Sequence, residues 1–316
     1  MSASWGLIAT VKAPTEQLLD FCAHHLELGA QRLYIYLDDC NEQSFARLRA
    51  HPKIKPVMTD AAWWEKRRGR PDKHQSRQFL NARHACNRRA EVQWLAHIDV
   101  DEFLMPEAGT VGEILERLPL TCLCARMRPA EALAEDPDHP TAPETCFKAM
   151  HVPAAERQQA AERAFPEFGR YLSGGFLSHV AGKLFFRAGI GMKVKIHNVY
   201  MDDEENPGEQ ELPEVALLHM HAESWEDWRA RFDYRMAAGS YREGLKAPVN
   251  SGRGGLPLHD LFTGILEAEG EAGLRRFYET ICRATPALQQ RLAAEGLLRR
   301  HHLSLGEKRA RHFPGG

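Results

Sequence analysis

The sequence has no long apolar run and no excess of charge of either sign. Its longest apolar stretches, Leu7–Val11 and Leu33–Leu37, fall far short of the roughly 20 residues that span a bilayer. The first strand-like segment is not preceded by a basic and then apolar leader, so we expect no secretory signal. The net charge of −2 creates no general attraction to nucleic acid. We therefore expect no transmembrane segment and no nucleic-acid partner, which leaves peripheral membrane contact open.

Paired-cysteine motifs are also missing. The seven cysteines are an odd number, and none of them forms a C-x-x-C pair. That usage is typical of small buried side chains in a reducing compartment rather than of a disulfide framework or a zinc knuckle. The expected location is the cytoplasm. With 43% apolar and 27% charged residues, the chain has the composition of an ordinary globular protein.

The first hundred residues alternate between strand and helix patterns with short connections. This alternation predicts an α/β fold with a mostly parallel central sheet flanked by helices. The predicted strands are Trp5–Val11, Arg32–Leu37, Ile54–Met58 and Trp94–Ile98, and the predicted helices begin near Thr15, Asn41 and Ser76.

Beyond Pro106 the pattern is looser. Residues 129–144 are rich in proline and acidic residues, which predicts a loop, and residues 183–187 and 192–198 are expected to pair around a glycine turn. Ser224 is expected to cap a helix that ends at Ala238. After a break at residues 244–256, further helices form a C-terminal extension, and the basic end, residues 299–312, is expected to be solvated.

Polar side chains follow several of the predicted strands. Ligands bind outside the carboxyl ends of the strands in open parallel sheets, so these residues are the first candidates for a site. Carboxylates and imidazoles are also ligands for Mg²⁺ or Mn²⁺. The candidates at strand ends are Lys12, Asp38, Asp39, Asp60, Asp99, Asp101, Glu102, His219 and His221.

Two Asp-x-Asp pairs compete for a metal or sugar role. Asp99 and Asp101 follow a buried strand that aims them, whereas Asp136 and Asp138 lie in the predicted loop. A rigid element positions a site better than a loop does, which favours the first pair. Glu102 has two open interpretations, a catalytic group or an acceptor for the backbone of its own turn.

A histidine pair and two groups of basic residues complete the candidates. His219 and His221 alternate along a strand, so their imidazoles are expected on one face, where at least one would bind metal or phosphate. Lys183 starts a strand after Gly182 and is expected to hold a diphosphate. The basic loop, residues 66–77, is expected to be either a solvated face or a phosphate contact.

Taken in order, these motifs resemble the family 2-like glycosyltransferases of the GT-A superfamily, in particular the bacterial branch near the family 92 enzymes. The matching parts are Lys12, residues 18–30, residues 34–39, Gln78, Asn81, residues 94–104, 182–187, 196–198 and 217–224. The resemblance implies a GT-A domain at residues 1–243, with a nucleotide-sugar-binding half at 1–106 and an acceptor and metal half at 107–243. Residues 244–316 would be the helical C-terminal extension.

The resemblance also implies a function. The chain would be an inverting, Mn²⁺- or Mg²⁺-dependent hexosyltransferase that takes a nucleotide-diphosphate-sugar, with a UDP-sugar favoured, and a glycan or polysaccharide-precursor acceptor. Lys12, Asp38, Asp39, Asp99 and Lys183 would bind the donor. Asp101, His219 and His221 would bind the metal, and Asp101 and Glu102 would be catalytic. The catalytic base stays unassigned among Glu144, Glu167, Asp136 and Asp138.

Two rival functions remain. The family has Lys-Asn-Glu after its first strand, where this chain has Lys12-Ala13-Pro14. That departure favours a degenerate module that binds a glycan or a partner without turnover. A nucleotidyltransferase would use a similar sheet, but it needs a glycine-rich phosphate loop at this point.

Overall fold

A computed structural model describes residues 2–249 and 255–315 of the chain. Its contacts divide the chain into two compact units. The first unit comprises Met1–Arg128, Ala181–Leu217 and Ser304–Gly316, and the second comprises Pro129–Val180 and Leu218–Leu303. The bounds of these units differ from those of the predicted domains, which divide the chain at residues 106 and 243. The predicted domains were defined by function, and their functional assignment stays a prediction. Among the described residues, no helix is both long enough and apolar enough to cross a membrane.

The mixed α/β architecture is confirmed. The strands are β1 (Trp5–Val11), β2 (Arg32–Leu37), β3 (Ile54–Met58), β4 (Trp94–His97), β5 (Glu102–Pro106), β6 (Cys124–Met127), β7 (Pro129–Ala132), β8 (Thr145–Lys148), β9 (Lys183–Arg187), β10 (Lys193–Val194), β11 (Val199–Met201), β12 (Glu204–Glu205), β13 (Glu209–Glu211), β14 (Val215–His219) and β15 (Leu298–His301). The α-helices are α1 (Thr15–Glu27), α2 (Glu42–Arg49), α3 (Ala61–Glu65), α4 (His74–Cys86), α5 (Val111–Glu116), α6 (Ala154–Ala164), α7 (Trp225–Ala237), α8 (Leu258–Cys282), α9 (Pro286–Ala294) and α10 (Leu305–His312).

The first unit is built on a seven-stranded sheet in the order β13-β6-β9-β4-β1-β2-β3. Strand β1 pairs in parallel with both β2 and β4, and β2 pairs in parallel with β3. Every residue of β1 is buried, as expected for a central strand covered on both faces. The carboxyl ends of these four strands therefore meet at one edge of the sheet. This is the edge at which the sequence predicts a site.

Strand β9 corrects one prediction. Residues 183–187 were expected to pair with residues 192–198 around a glycine turn. Instead β9 runs antiparallel to β4 and to β6, and β10 pairs with β11. The consequence matters for the site, because β9 brings Lys183 next to the end of β4.

The second unit contains antiparallel strands and a helical core. Strand β8 pairs with β7 and with β15. The predicted loop at residues 129–144 therefore contains a strand, which the proline at its start and its alanine-rich composition concealed. The core of this unit is aromatic and includes Trp228, Phe232, Phe262 and Phe277. Part of the predicted break, residues 250–254, lies outside the described residues.

The basic C-terminal segment is not a solvated end, as the sequence had suggested. Its first part forms β15 in the second unit. Its last part forms α10 of the first unit, where Arg309 forms ion pairs with Asp20 and Glu16 of α1. Ion pairs with long-range partners fix this segment, and charge counting along the sequence does not reveal them.

Candidate active site

A tight turn after β4 aims the first Asp-x-Asp pair. The backbone N–H of Asp99 donates to Glu102 Oε2 at 2.8 Å, and the N–H of Glu102 donates to the carbonyl of Asp99 at 3.0 Å. Glu102 is buried, so its carboxylate closes the turn from inside. This geometry fits one of the two interpretations of Glu102, an acceptor for the backbone of its own turn, and its catalytic role stays a prediction. Asp101 lies in the same turn and is half-buried.

Two side chains hold the carboxylate of Asp99. Lys183 Nζ lies 2.6 Å from Asp99 Oδ2, and Gln78 Nε2 of α4 donates to Asp99 Oδ1 at 2.6 Å. The side chain of Lys183 is 2% exposed, whereas that of Asp99 is 34% exposed. Asp99 is thus fixed from the protein side and open to solvent on the other. The structure brings together two of the predicted donor-binding residues, which are 84 positions apart in the sequence.

Lys183 keeps its positive charge at neutral pH. Burial alone would lower the pKa of its ammonium group, but the carboxylates of Asp99, Glu102 and Asp101 more than offset that effect and raise the pKa above its usual value. Lys183 also lies 3.4 Å from Glu102 Oε2. It is therefore a permanent cation at neutral pH, suited to holding anionic oxygens and unsuited to accepting a proton.

Asp38 is buried beneath the edge of the sheet in a cluster of cations. Its carboxylate accepts hydrogen bonds from Arg77 Nε at 2.9 Å and from Arg70 Nη2 at 3.0 Å. Burial would raise the pKa of Asp38, but His74, Arg77 and Arg70 lower it overall. The basic loop is thus tied to the end of β2 by Arg70. This ion-pair cluster was not predicted.

A charged pocket of about 500 Å³ opens at the ends of β2 and β3, and we call it the β2–β3 pocket. Its lining includes Asp38, Asp60, Trp64 and Arg70. Asp39, which follows β2, and Lys12, which follows β1, are exposed. Their roles in donor binding stay predictions.

His219 and His221 belong to the second unit, whereas Val215–Leu217, the first part of β14, belongs to the first unit. The ring centroids of His219 and His221 are 5.0 Å apart. Strand β14 ends at His219, and the N–H of His221 donates to the carbonyl of His219 at 3.0 Å, so a turn and not strand alternation brings the two rings together. His219 Nδ1 lies 3.2 Å from Ser178 Oγ. Both rings are half-buried.

A buried ion pair beside these histidines was missed by the sequence analysis. Glu131 Oε2 lies 3.2 Å from Lys148 Nζ, and Glu131 Oε1 accepts a hydrogen bond from the backbone N–H of Ser178 at 2.6 Å. Burial would raise the pKa of Glu131, but Lys148, His221 and His219 lower it to about 2. Glu131 is therefore an anion at neutral pH and fixes the segment that carries Ser178. The alanines on either side of Glu131 give no strand pattern that could have revealed its burial.

Two histidines of α1 support the strand that follows the Asp-x-Asp turn. His24 Nε2–H donates to the carbonyl of Leu104 at 2.8 Å, and the N–H of Leu104 donates to His25 Nε2 at 3.2 Å. Burial and then the nearby Lys308 ammonium lower the pKa of His24 to about 4. Both rings are completely buried and neutral at pH 7, and they anchor β5.

The second Asp-x-Asp pair has a local structural role. Asp136 Oδ1 accepts from the backbone N–H of Asp138 at 3.3 Å, and Asp136 Oδ2 lies 3.2 Å from His139 Nδ1. Asp138 is exposed. Glu167, another predicted candidate for the base, forms an ion pair with Arg276.

No group of three or more His, Cys, Asp or Glu side chains converges to form a metal site within the described residues. A divalent cation in nucleotide-binding enzymes is commonly held by one or two carboxylates plus substrate phosphates rather than by a cage of protein ligands. The carboxylate of Asp101, on the tight turn after β4, fits that second type of site.

Comparison with known proteins gives one family match. The model of glycosyltransferase family 92 matches residues 8–243. No curated protein matches the chain. Two solved structures are similar at low identity. HddC from Yersinia pseudotuberculosis is 12% identical with a TM-score of 0.28, over 43% of this chain and 65% of HddC. Mouse xyloside xylosyltransferase 1 in its apo form is 12% identical with a TM-score of 0.29, over 59% of this chain and 67% of the mouse protein.

Proposed function

The chain belongs to glycosyltransferase family 92 and is a glycosyltransferase, and we propose that it moves a hexose from a nucleotide-diphosphate-sugar to a hydroxyl group of a glycan or polysaccharide precursor. A UDP-sugar is the favoured donor, and the reaction inverts the anomeric carbon. The observation that carries this proposal is the Asp99 carboxylate, which is half-open to solvent and held by buried Lys183 at the carboxyl end of β4.

The site has the charges that such a donor needs. Lys183 is buried and paired with Asp99 and Glu102, so its charge fixes the Asp99 carboxylate, and its contact with the diphosphate stays a prediction. Asp99 suits a ribose or sugar hydroxyl, since a carboxylate accepts strong hydrogen bonds. The β2–β3 pocket, with Asp60 and Arg70 in its lining and buried Asp38 holding Arg70, suits the polar nucleoside end of the donor.

The transfer itself is a displacement. The acceptor oxygen attacks the anomeric carbon on the face opposite the diphosphate. The bond between that carbon and the diphosphate oxygen breaks, and its electron pair stays on the leaving diphosphate. The acceptor proton leaves to a base, a role to which we assign no residue. Glu102 holds the turn and Gln78 holds Asp99, so both act as positioning residues.

A bound Mn²⁺ or Mg²⁺ would supply Lewis-acid stabilisation of the leaving diphosphate. Asp101 is the first candidate ligand, and the metal-binding roles of His219 and His221 stay predictions. The support for these ligands is their chemistry and the tight turn that carries Asp101. The cytoplasm remains the proposed location, on the basis of cysteine usage.

The test is thermal unfolding with UDP at about 100 times its Kd. Ligand binding at that ratio adds about 2.7 kcal/mol to the free energy of unfolding, which raises the Tm by roughly 5 °C for a chain of this size. We expect that shift with Mn²⁺ or Mg²⁺ and a much smaller one in excess EDTA. Asp101→Asn should lose the metal-dependent part, while Asp138→Asn, the matched change in the second pair, should keep it. An equal shift in EDTA would remove the metal from the proposal, and no shift under any condition would favour a module that does not bind UDP.

A further inference from the structure

A second pocket in the first unit lies on another side of α4, and we call it the α4–β10 pocket. It encloses about 600 Å³ between α4 and the segment at residues 195–198. Phe79, Leu80 and Ile196 provide its apolar surface, and Gln75, His197 and Asn198 are among its polar groups. The volume and the mix of apolar surface with a few polar groups are those of a small-molecule site.

The walls of this pocket are tied to the Asp99 site. On one side, α4 carries Gln78, one residue before Phe79, and Gln78 donates to Asp99. On the other side, His197 Nδ1–H donates to the carbonyl of Gly182 at 2.9 Å, directly before Lys183. A ligand in the pocket would therefore lie against α4, which carries Gln78, and against residues 195–198, which hydrogen-bond to the residue before Lys183.

The polar wall is also rigid. The guanidinium of Arg126 is 6% exposed. It donates to the carbonyl of His197 at 3.0 Å and to Asn198 Oδ1 at 3.2 Å. These bonds fix the backbone at residues 197–198. The pocket is thus preformed on this side, and a preformed pocket binds ligand at a lower entropic cost.

The chemistry of the two pockets differs. The β2–β3 pocket contains carboxylates and a guanidinium, whereas none of the described lining residues of the α4–β10 pocket is acidic. Its lysine, Lys195, has its ammonium group 4.3 Å from the ring centroid of Tyr200. The three large apolar side chains are partly exposed in the pocket, so water covers apolar surface that a ligand would bury. Apolar side chains without acidic neighbours make the α4–β10 pocket suited to an uncharged apolar group.

We propose that the α4–β10 pocket binds an apolar group attached to the acceptor, so that the acceptor is an alkyl or aryl glycoside rather than a free sugar. This inference rests on the proposed function. A transferase must hold its two substrates on either side of the reacting carbon, and α4 contributes Arg77 to the ion-pair cluster at the β2–β3 pocket and Phe79 to the α4–β10 pocket.

The test is isothermal titration calorimetry of the full chain, saturated with UDP and Mn²⁺. The titrants are the methyl, n-octyl and p-nitrophenyl glycosides of glucose, galactose and mannose. We expect at least one octyl or p-nitrophenyl glycoside to bind about tenfold or more tightly than its methyl counterpart. The octyl and p-nitrophenyl arms distinguish an alkyl group from an aryl group. Equal affinity for all three glycosides of every sugar, or binding of none of them, would overturn the proposal.

Three variants locate the site. Phe79→Ala and Ile196→Ala should weaken the octyl or p-nitrophenyl glycoside about tenfold and leave the Kd of UDP within about twofold of wild type. Leu120→Ala, at an apolar side chain that is 88% exposed outside the pocket, should change neither. If the two pocket variants bind the glycosides like wild type, the pocket is not the site.

The UDP titration separates this inference from the proposed function. If UDP binds but the apolar glycosides show no preference, the function stands and the pocket proposal fails. If the glycosides bind through Phe79 but UDP does not bind with or without Mn²⁺, the pocket stands and the proposed donor is wrong.

Discussion

At the scale of single residues, the two neighbouring aspartates after β2 have different environments. Asp38 is fully buried against Arg77 and Arg70, whereas Asp39 is exposed. Removing one partner of a buried ion pair leaves the other charge uncompensated and typically costs about 3 kcal/mol or more. Asp38→Asn should therefore lower the free energy of unfolding by about 3 kcal/mol, measured by urea denaturation. Asp39→Asn should change it by no more than about 0.5 kcal/mol. Equal effects of the two substitutions would contradict the ion-pair cluster.

The buried His24 predicts how stability depends on pH. Its pKa is about 4 in the folded protein and about 6.5 in the unfolded chain, so the unfolded chain binds more protons between these values. The contribution of His24 to the free energy of unfolding is fully present above pH 6.5. It falls by about 3 kcal/mol as the pH is lowered toward 4. The groups that face the ring are His25, Lys308 and Glu27. Urea unfolding of wild type and His24→Gln from pH 7 to pH 4 should show a shallower fall in the variant, and parallel curves would rule the effect out.

The candidate site shows how far residue-level prediction reaches. The Asp99–Glu102 turn and Lys183 were identified from their places at strand ends, because the carboxyl edge of a parallel sheet is where ligands bind. The ion pairs that fix them were not foreseen. Asp38 is 39 positions from Arg77, and Glu131 meets Lys148 only once two strands pair. Partners so far apart leave no pattern in a single sequence.

At the scale of elements, Gly182 sets the position of Lys183 at the start of β9. Its φ is +71°, and a Cβ atom there would lie 2.0 Å from the carbonyl oxygen of Met127. That oxygen belongs to β6, which pairs with β9, so it has little freedom to move. Gly182→Ala should therefore destabilise the protein and displace Lys183 from Asp99.

A second glycine is the control for this prediction. Gly191 has a similar φ of +84°, but a Cβ atom there would have no neighbour within 4 Å. Gly191→Ala should cost about 1–2 kcal/mol from backbone strain alone. Gly182→Ala should cost at least about twice as much, because overpacking adds to the strain. Urea denaturation of both variants measures the difference, and equal costs would contradict the close approach to Met127.

Predictions of elements succeeded where the pattern was local. The bounds of β1 and β2 follow from apolar and aromatic runs. The caps Asn41 and Ser224 accept hydrogen bonds from the first turns of α2 and α7. The pairing of β9 was wrong because it depends on β4 and β6, both distant in sequence. Short alanine-rich β7 has neither β-branched nor aromatic residues to mark it as a strand.

At the scale of the whole molecule, the chain returns to its first unit at its end. Arg311 and His312 of α10 pair with Glu27, and Lys308 donates to His24, all on α1. Deleting residues 304–316 should therefore lower the Tm and speed amide hydrogen exchange in α1. A solvated tail, as composition alone suggests, would leave both measurements unchanged. The contact between α10 and α1 could not be predicted from the sequence, because the first unit is assembled from three separate segments of the chain.

The most direct test of the central claim is the release of UDP from a panel of UDP-hexoses, with Mn²⁺ and with water or an added glycoside as acceptor. Wild type and Asp138→Asn should release UDP at similar rates. Asp101→Asn should keep its fold and be slower by about 10²–10³, the usual cost of losing a group that stabilises the leaving charge. Release by Asp101→Asn at the wild-type rate, or a comparable loss in Asp138→Asn, would contradict the assignment of the reaction centre to the turn at residues 99–102.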